Sequence, residues 1–107
     1  MFYFCKSLKE INLSNFNTLN VTNMCYMFGH CKSLKELNLS NFNTNNVKDI
    51  DLMFFCCSSL EELDLSNFNI NNTISMISPF CGCSNELKTK IRNQFKNLTE
   101  EAYNELF

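Results

Sequence analysis

Thiols and carboxylates are the side chains of this sequence with reactive or ligand-binding potential. The chain carries seven cysteines in 107 residues. Thiolates are nucleophiles and metal ligands, and neighbouring thiols oxidise to disulfides. Cys5, Cys31, Cys57 and Cys83 follow one another at intervals of 26, which marks them as one column of a repeat. A column of small apolar thiols is expected to be buried. Four collinear thiols would invite mispairing on oxidation, and an odd total leaves at least one thiol free in any intrachain scheme. Cys25, Cys56 and Cys81 lie off the column. Metal is not expected, since Cys81-x-Cys83 lacks the zinc-type C-x₂-C spacing and the repeat already explains Cys83. His30 is the only histidine and adjoins Cys31. A thiolate–imidazole pair would be reactive, but adjacent residues seldom aim their side chains at each other. Glycine-rich phosphate loops, G-x-S-x-G and H-E-x-x-H do not occur in the sequence. The reading is a non-enzyme with no cofactor and no metal.

The carboxylates point to binding. Glu10, Asn12, Glu36, Asn38, Glu62 and Asp64, with Ser14, Ser40 and Ser66, fall on alternate positions of three short apolar–polar segments. On strands they would face away from the core and form one concave surface. These six acidic and amide residues are the candidate partner-binding set. Glu10, Glu36 and Glu62 would stack one strand apart, where like charges repel by about 0.8 kcal/mol in bulk water. Lys9 and Lys35 flank the first two, whereas Glu61 flanks Glu62, so the surface grows more acidic toward its C-terminal end.

The elements that must position these residues follow from a repeat. Cys5-Lys6-Ser7-Leu8 recurs as Cys31-Lys32-Ser33-Leu34 and as Cys57-Ser58-Ser59-Leu60. Leu13-Ser14-Asn15-Phe16 recurs at 39–42 and 65–68, and Met1-Phe2 at 27–28 and 53–54. Within each unit the pattern L-x-x-L-x-L predicts strands near 10–14, 36–40 and 62–66. Val47, Ile50, Phe54 and Cys57 then step by 3, 4 and 3, as do Val21, Met24, Phe28 and Cys31, which predicts a helix in each unit. Thr73, Met76, Phe80 and Cys83 keep that spacing, but Pro79 should end or kink the third helix near Ser78. Asn45, Asn46 and residues 17–20 suit helix starts. Single units cannot bury their apolar side, but stacked units can.

The string M-F-x-x-C-x-S-L-x-x-L-x-L-S-N-F-N-T-x-N-V resembles the BspA-like leucine-rich repeats. It is equally similar to the related repeat of mycoplasma surface lipoproteins. The resemblance covers residues 1 to about 84. It implies an α/β leucine-rich-repeat solenoid of about three 26-residue strand–helix units. It also implies a non-catalytic protein-interaction module on a cell surface or in a secreted protein, of adhesion type, with a protein or host-surface ligand as partner. An intracellular leucine-rich-repeat scaffold or recognition module is the alternative, favoured by the odd cysteine count. Phe16, Phe42 and Phe68 stand where a consensus asparagine usually sits, so Asn15, Asn41 and Asn67 are candidates for a different ladder.

Residues 85–107 leave the repeat. Leu87, Ile91, Phe95 and Leu98 form a helical stripe, and Thr99 before Glu100 and Glu101 suits the start of a last short helix. This segment is expected to be a C-terminal helical cap over a repeat region of 1–84. Met1 falls in register with Met27, so the chain is expected to be an N-terminally truncated array that self-associates through an uncapped edge.

Composition bounds the rest. Nine basic against eleven acidic residues give a net charge of −2, which excludes a strongly electrostatic nucleic-acid binder. Hydrophobic residues at 45% and charged ones at 19% exclude a disordered chain. With two Gly and one Pro, a turn-rich β-sandwich or barrel is disfavoured. No apolar run reaches membrane-spanning length, and no signal peptide is visible. The abundance of asparagine reads in part as codon bias toward A and T. Sequons at Asn12, Asn20, Asn38, Asn71 and Asn97 matter only on an endoplasmic-reticulum route.

Overall fold

Leu37 and Leu63 each lie between two exposed neighbours, the period-2 pattern of a half-buried strand. They centre β1 (Glu36–Asn38) and β2 (Glu62–Asp64). The two strands run parallel, with Glu36 opposite Glu62, Leu37 opposite Leu63 and Asn38 opposite Asp64. Two helices follow, α1 (Asn85–Gln94) and α2 (Glu100–Leu106). The structure, a computed structural model, describes residues 7–95 and 98–107. Expectations for Met1, Phe2, Cys5 and the Asn97 sequon fall outside the described residues.

The α/β solenoid of three strand–helix units is therefore corrected. Among the described residues the sheet has two strands of three residues each, and both helices come after residue 84. Residues 10–14 form no strand. Among the described residues no backbone hydrogen bond joins 10–13 to β1. Instead the Asn12 carboxamide accepts from the Ser14 N–H at 3.0 Å. The same local turn ends β1 at Asn38, whose Oδ1 accepts from Ser40 N–H, and β2 at Asp64, whose Oδ1 accepts from Ser66 N–H. Such side-chain-to-backbone bonds compete with ladder pairing, which is why the strands stop short of residues 40 and 66.

The expected helices of the repeat fail for a second reason. Tyr26, His30, Leu52, Cys56 and Ser78 have φ between 45° and 61°, and Gly82 has φ of 84°. These are residues 26, 52 and 78, and 30, 56 and 82, so each unit carries two left-handed positions four apart. No α-helix continues through such residues. The backbone N–H groups instead point sideways. Those of Met24, Tyr26, Phe28 and His30 donate to the carbonyls of Asp49, Asp51, Met53 and Phe55. Those of Ile50, Leu52, Phe54 and Cys56 donate to Ser75, Ile77, Pro79 and Cys81. Tight turns alternate with these bonds, as where Met27 N–H donates to Met24 C=O and Cys31 N–H to Phe28 C=O. Successive turns bring an apolar side chain inward every third or fourth residue, which imitates a helical period. With no third helix to interrupt, Pro79 simply supplies the carbonyl that takes the Phe54 N–H at 2.8 Å.

Packing follows the same 26-residue register. Phe28, Phe54, Phe80 and Phe107 stack with ring centroids 5.7, 5.5 and 5.6 Å apart. Leu34 and Leu60, Leu39 and Leu65, and Met27 and Met53 are all buried at corresponding positions. The fourth aromatic ring belongs to the residue after α2, so the C-terminal helices extend the column. Ser84 caps α1 by accepting from Leu87 N–H, and Thr99 caps α2 by accepting from Ala102 N–H. Leu87, Ile91 and Leu106 are buried. Among the described residues no helix is long and apolar enough to cross a membrane.

Candidate interaction face

The exposed side of β1 and β2 carries an open groove of ≈ 560 Å³. Leu37 and Leu63 lie at its floor, Glu10, Glu36, Glu62 and Asp64 on its walls, and Gln94 at one end. Five of the six candidate residues thus line one groove: Glu10, Glu36, Asn38, Glu62 and Asp64. Asn12 lines a neighbouring depression with Asn38. Strand pairing fixes Glu36 beside Glu62, because the two are direct partners in the register.

The six residues are not equivalent. Asn12, Asn38 and Asp64 have one side-chain oxygen committed to a local turn. The Ser66 hydroxyl and N–H hold the Asp64 carboxyl below the ordinary carboxylate range. Glu62 forms a salt bridge of 2.9 Å with Lys90 of α1, and Lys90 also donates to the Glu61 carbonyl. Both side chains of that pair are largely exposed, so the contact adds little stability. Among the described residues Glu10 and Glu36 make no ion pair. Lys90 thus offsets part of the acidic charge that Glu61, Glu62 and Asp64 place at the end of the groove near α1.

Gln94 is the residue that sequence patterning does not reveal. Its carboxamide Oε1 accepts from Leu65 N–H at 2.7 Å, and its Nε2 donates to Leu63 C=O at 2.9 Å. One side chain thereby takes the place of a third strand along the open edge of β2. A glutamine on a predicted helix has no sequence signal for this, because the partner groups are backbone and lie about thirty residues away.

Asparagine is structural throughout. Asn41 Nδ2 donates to Ser14 C=O and Asn67 Nδ2 to Ser40 C=O, at 2.8 and 2.7 Å. Asn46 and Asn72 reach the carbonyls of Leu19 and Asn45 in the same way. Thr18 and Thr44 are buried, and each hydroxyl both accepts from and donates to the backbone of Asn43 or Asn69. Asparagine and threonine side chains thus join neighbouring units, which codon bias alone does not explain.

The thiols separate into two environments. Cys31, Cys57 and Cys83 are buried. The Cys57 S–H donates to Phe28 C=O and the Cys83 S–H to Phe54 C=O. Burial raises the Cys57 thiol strongly and pushes Cys83 up to about 12. The Cys57 and Cys83 sulfurs are protonated packing groups. Cys25, Cys56 and Cys81 are half-buried or exposed, and all six are free thiols. Burial, followed by Asp49 and Asp51, raises the Cys25 thiol. The His30 ring meets Phe55 edge-on at 5.0 Å, an aromatic packing contact.

Non-helical 26-residue segments joined side by side, closed by two short helices and bearing an acidic groove, define the class of this molecule. The chain belongs to the family described as "Mycoplasma protein of unknown function, DUF285", whose model matches residues 1–103. No curated protein and no solved structure matches the chain.

Proposed function

We propose that the chain is a non-catalytic protein-interaction module of a cell-surface or secreted protein of adhesion type. Its partner would seat in the groove over β1 and β2. The carrying observation is that Glu10 and Glu36 line this groove and, among the described residues, make no ion pair. A polar rim around a small apolar floor suits a reversible protein contact. Membership of the mycoplasma family and the likeness of the repeat to surface lipoprotein repeats support the surface placement. An intracellular scaffold is the second reading, favoured by buried thiols that act as hydrogen-bond donors.

The test compares wild type with Glu10→Lys/Glu36→Lys for capture of proteins from host-cell surface extracts. Both side chains are exposed and outside the core, so circular dichroism should not change. Binding by wild type at physiological salt, lost in the double variant, is the expected result. Equal capture by both proteins would move the interface off the groove. Isolation of the native protein from the cytosolic fraction alone would favour the scaffold reading.

A further inference from the structure

Two thiols outside the buried column lie on adjacent segments of backbone. The Cys56 N–H donates to the Cys81 carbonyl at 2.8 Å. Standard backbone bond lengths then hold the two Cα atoms within about 6.7 Å of each other. Disulfides span Cα separations of about 4.4–6.8 Å. The two segments also pack tightly at this point. A Cβ built on Gly82 would meet Cys56 Cα and Sγ at 2.9 Å and its N at 3.0 Å, so Cys56 lies directly against the residue next to Cys81. Gly82, at φ of 84°, has no Cβ, which leaves room for this approach. Cys56 is half-buried and Cys81 exposed, so reagents in water reach the pair. Residue 51, the counterpart of Cys25 in the next unit, is an aspartate, so no second thiol stands there.

We propose that Cys56 and Cys81 form a specific oxidation site, closing to a disulfide when the folded protein meets a peroxide. The chemistry balances in two steps. The Cys81 thiolate attacks one peroxide oxygen, an S–O bond forms, the O–O bond breaks, and the departing hydroxide takes a proton to leave as water. The Cys56 thiolate then attacks the Cys81 sulfur, an S–S bond forms, the S–O bond breaks, and a second water leaves. Two thiols are oxidised by two electrons and one peroxide is reduced. Cys31, Cys57 and Cys83 are spectators, because all three are buried and the sulfurs of Cys57 and Cys83 are bonded to carbonyls. The bridge would tie the second unit to the third across 25 residues.

The experiment treats the folded full chain with one equivalent of hydrogen peroxide and maps the product by tandem mass spectrometry. The expected product is a monomer lighter by two hydrogens, with Cys56 joined to Cys81, and loss of these two thiols together from maleimide labelling. A rise in melting temperature on the order of 10 °C, reversed by a dithiol reductant, should accompany it. Cys81→Ser should remove both the bridge and the shift, as should Cys56→Ser. Wild-type mapping decides the matter even where a variant folds poorly. A bridge through Cys25, Cys57 or Cys83, a linkage between chains, or separate sulfinic acids on Cys56 and Cys81 would overturn the proposal.

Discussion

Residues 7–84 and residues 85–107 solve the same backbone problem in opposite ways. In the first region, N–H groups are satisfied by carbonyls about 25 residues away, so no unit is complete without its neighbour. In the second, α1 and α2 satisfy their own backbone and bring their own caps, Ser84 and Thr99. The difference explains the position of the helices. A segment that borrows its hydrogen bonds always leaves one open edge, and a segment that does not can be laid against it. Gln94 closes the edge at Leu63 and Leu65, the Glu105 carbonyl accepts from Ser78 N–H, and Phe107 covers Phe80. The contrast predicts that damage in the first region spreads across units, whereas damage in the second stays local.

The largest effect should come from the aromatic column. Phe54 is buried and stacked on both faces, by Phe28 and Phe80. Phe54→Ala should cost about 3–5 kcal/mol, the range for large-to-small changes in a core. Such a loss is a large share of the stability of a domain this size. Urea unfolding followed by circular dichroism checks it. A variant with an unchanged midpoint would mean that the units do not support one another through this column.

The interval of 26 and the alternation around Leu37 and Leu63 give the register, because burial on one face of a strand leaves a period-2 trace. The stripe Leu87 and Ile91 lies on a helix because nothing left-handed interrupts it. The stripe Val47, Ile50, Phe54 and Cys57 has the same spacing and is no helix. The deciding residues, Leu52 and Cys56, adopt positive φ without being Gly or Asn, the residues that usually announce it. Their conformation is imposed by bonds to Ile77 and Cys81, and tertiary hydrogen bonds leave no mark on local sequence. The groove shows the same limit. Glu36 and Glu62 are neighbours by register, but the turn-forming use of Asn38 and Asp64 and the arrival of Lys90 depend on geometry outside the repeat.

Alkaline pH offers the second-largest perturbation, and the thiols it acts on lie in the unit region. Cys57 and Cys83 titrate above their ordinary range because burial disfavours the thiolate. Above pH 9 the unfolded chain releases these protons while the folded chain keeps them. The unfolded state then binds fewer protons, so stability must fall as pH rises. Each such thiol contributes about 1.4 kcal/mol per pH unit in that window, so at pH 10 the pair removes roughly 3 kcal/mol. Cys83→Ala should make the slope between pH 9 and 11 shallower, whatever it does to stability at neutral pH. An unaltered slope would show that these thiols are not held protonated by the fold.

The smallest effect gives the sharpest comparison, because one residue type plays both parts. Thr44 lies in the unit region, where its buried hydroxyl accepts from Asn69 N–H at 2.8 Å and donates to Asn69 C=O. Thr99 lies at a helix start, where its exposed hydroxyl accepts from Ala102 N–H at 3.2 Å. Thr44→Val keeps the shape and removes the hydroxyl, leaving a backbone donor and acceptor of the next unit without that partner. A buried group left unsatisfied costs about 1–3 kcal/mol. Thr99→Val removes a cap, for which about 1 kcal/mol is usual, with water free to replace it. The two losses nearly overlap in size, so the midpoint of unfolding does not separate them well. Their reach does. Thr44→Val should speed amide exchange on both sides of the missing bridge, at Val47 and again at Phe68 and Thr73, because the units hold each other's backbone. Thr99→Val should speed exchange at Ala102 and Tyr103 and leave the units unchanged. Exchange confined to one unit in Thr44→Val would mean that neighbouring units open independently, and the distinction between borrowed and self-contained hydrogen bonding would lose its energetic meaning.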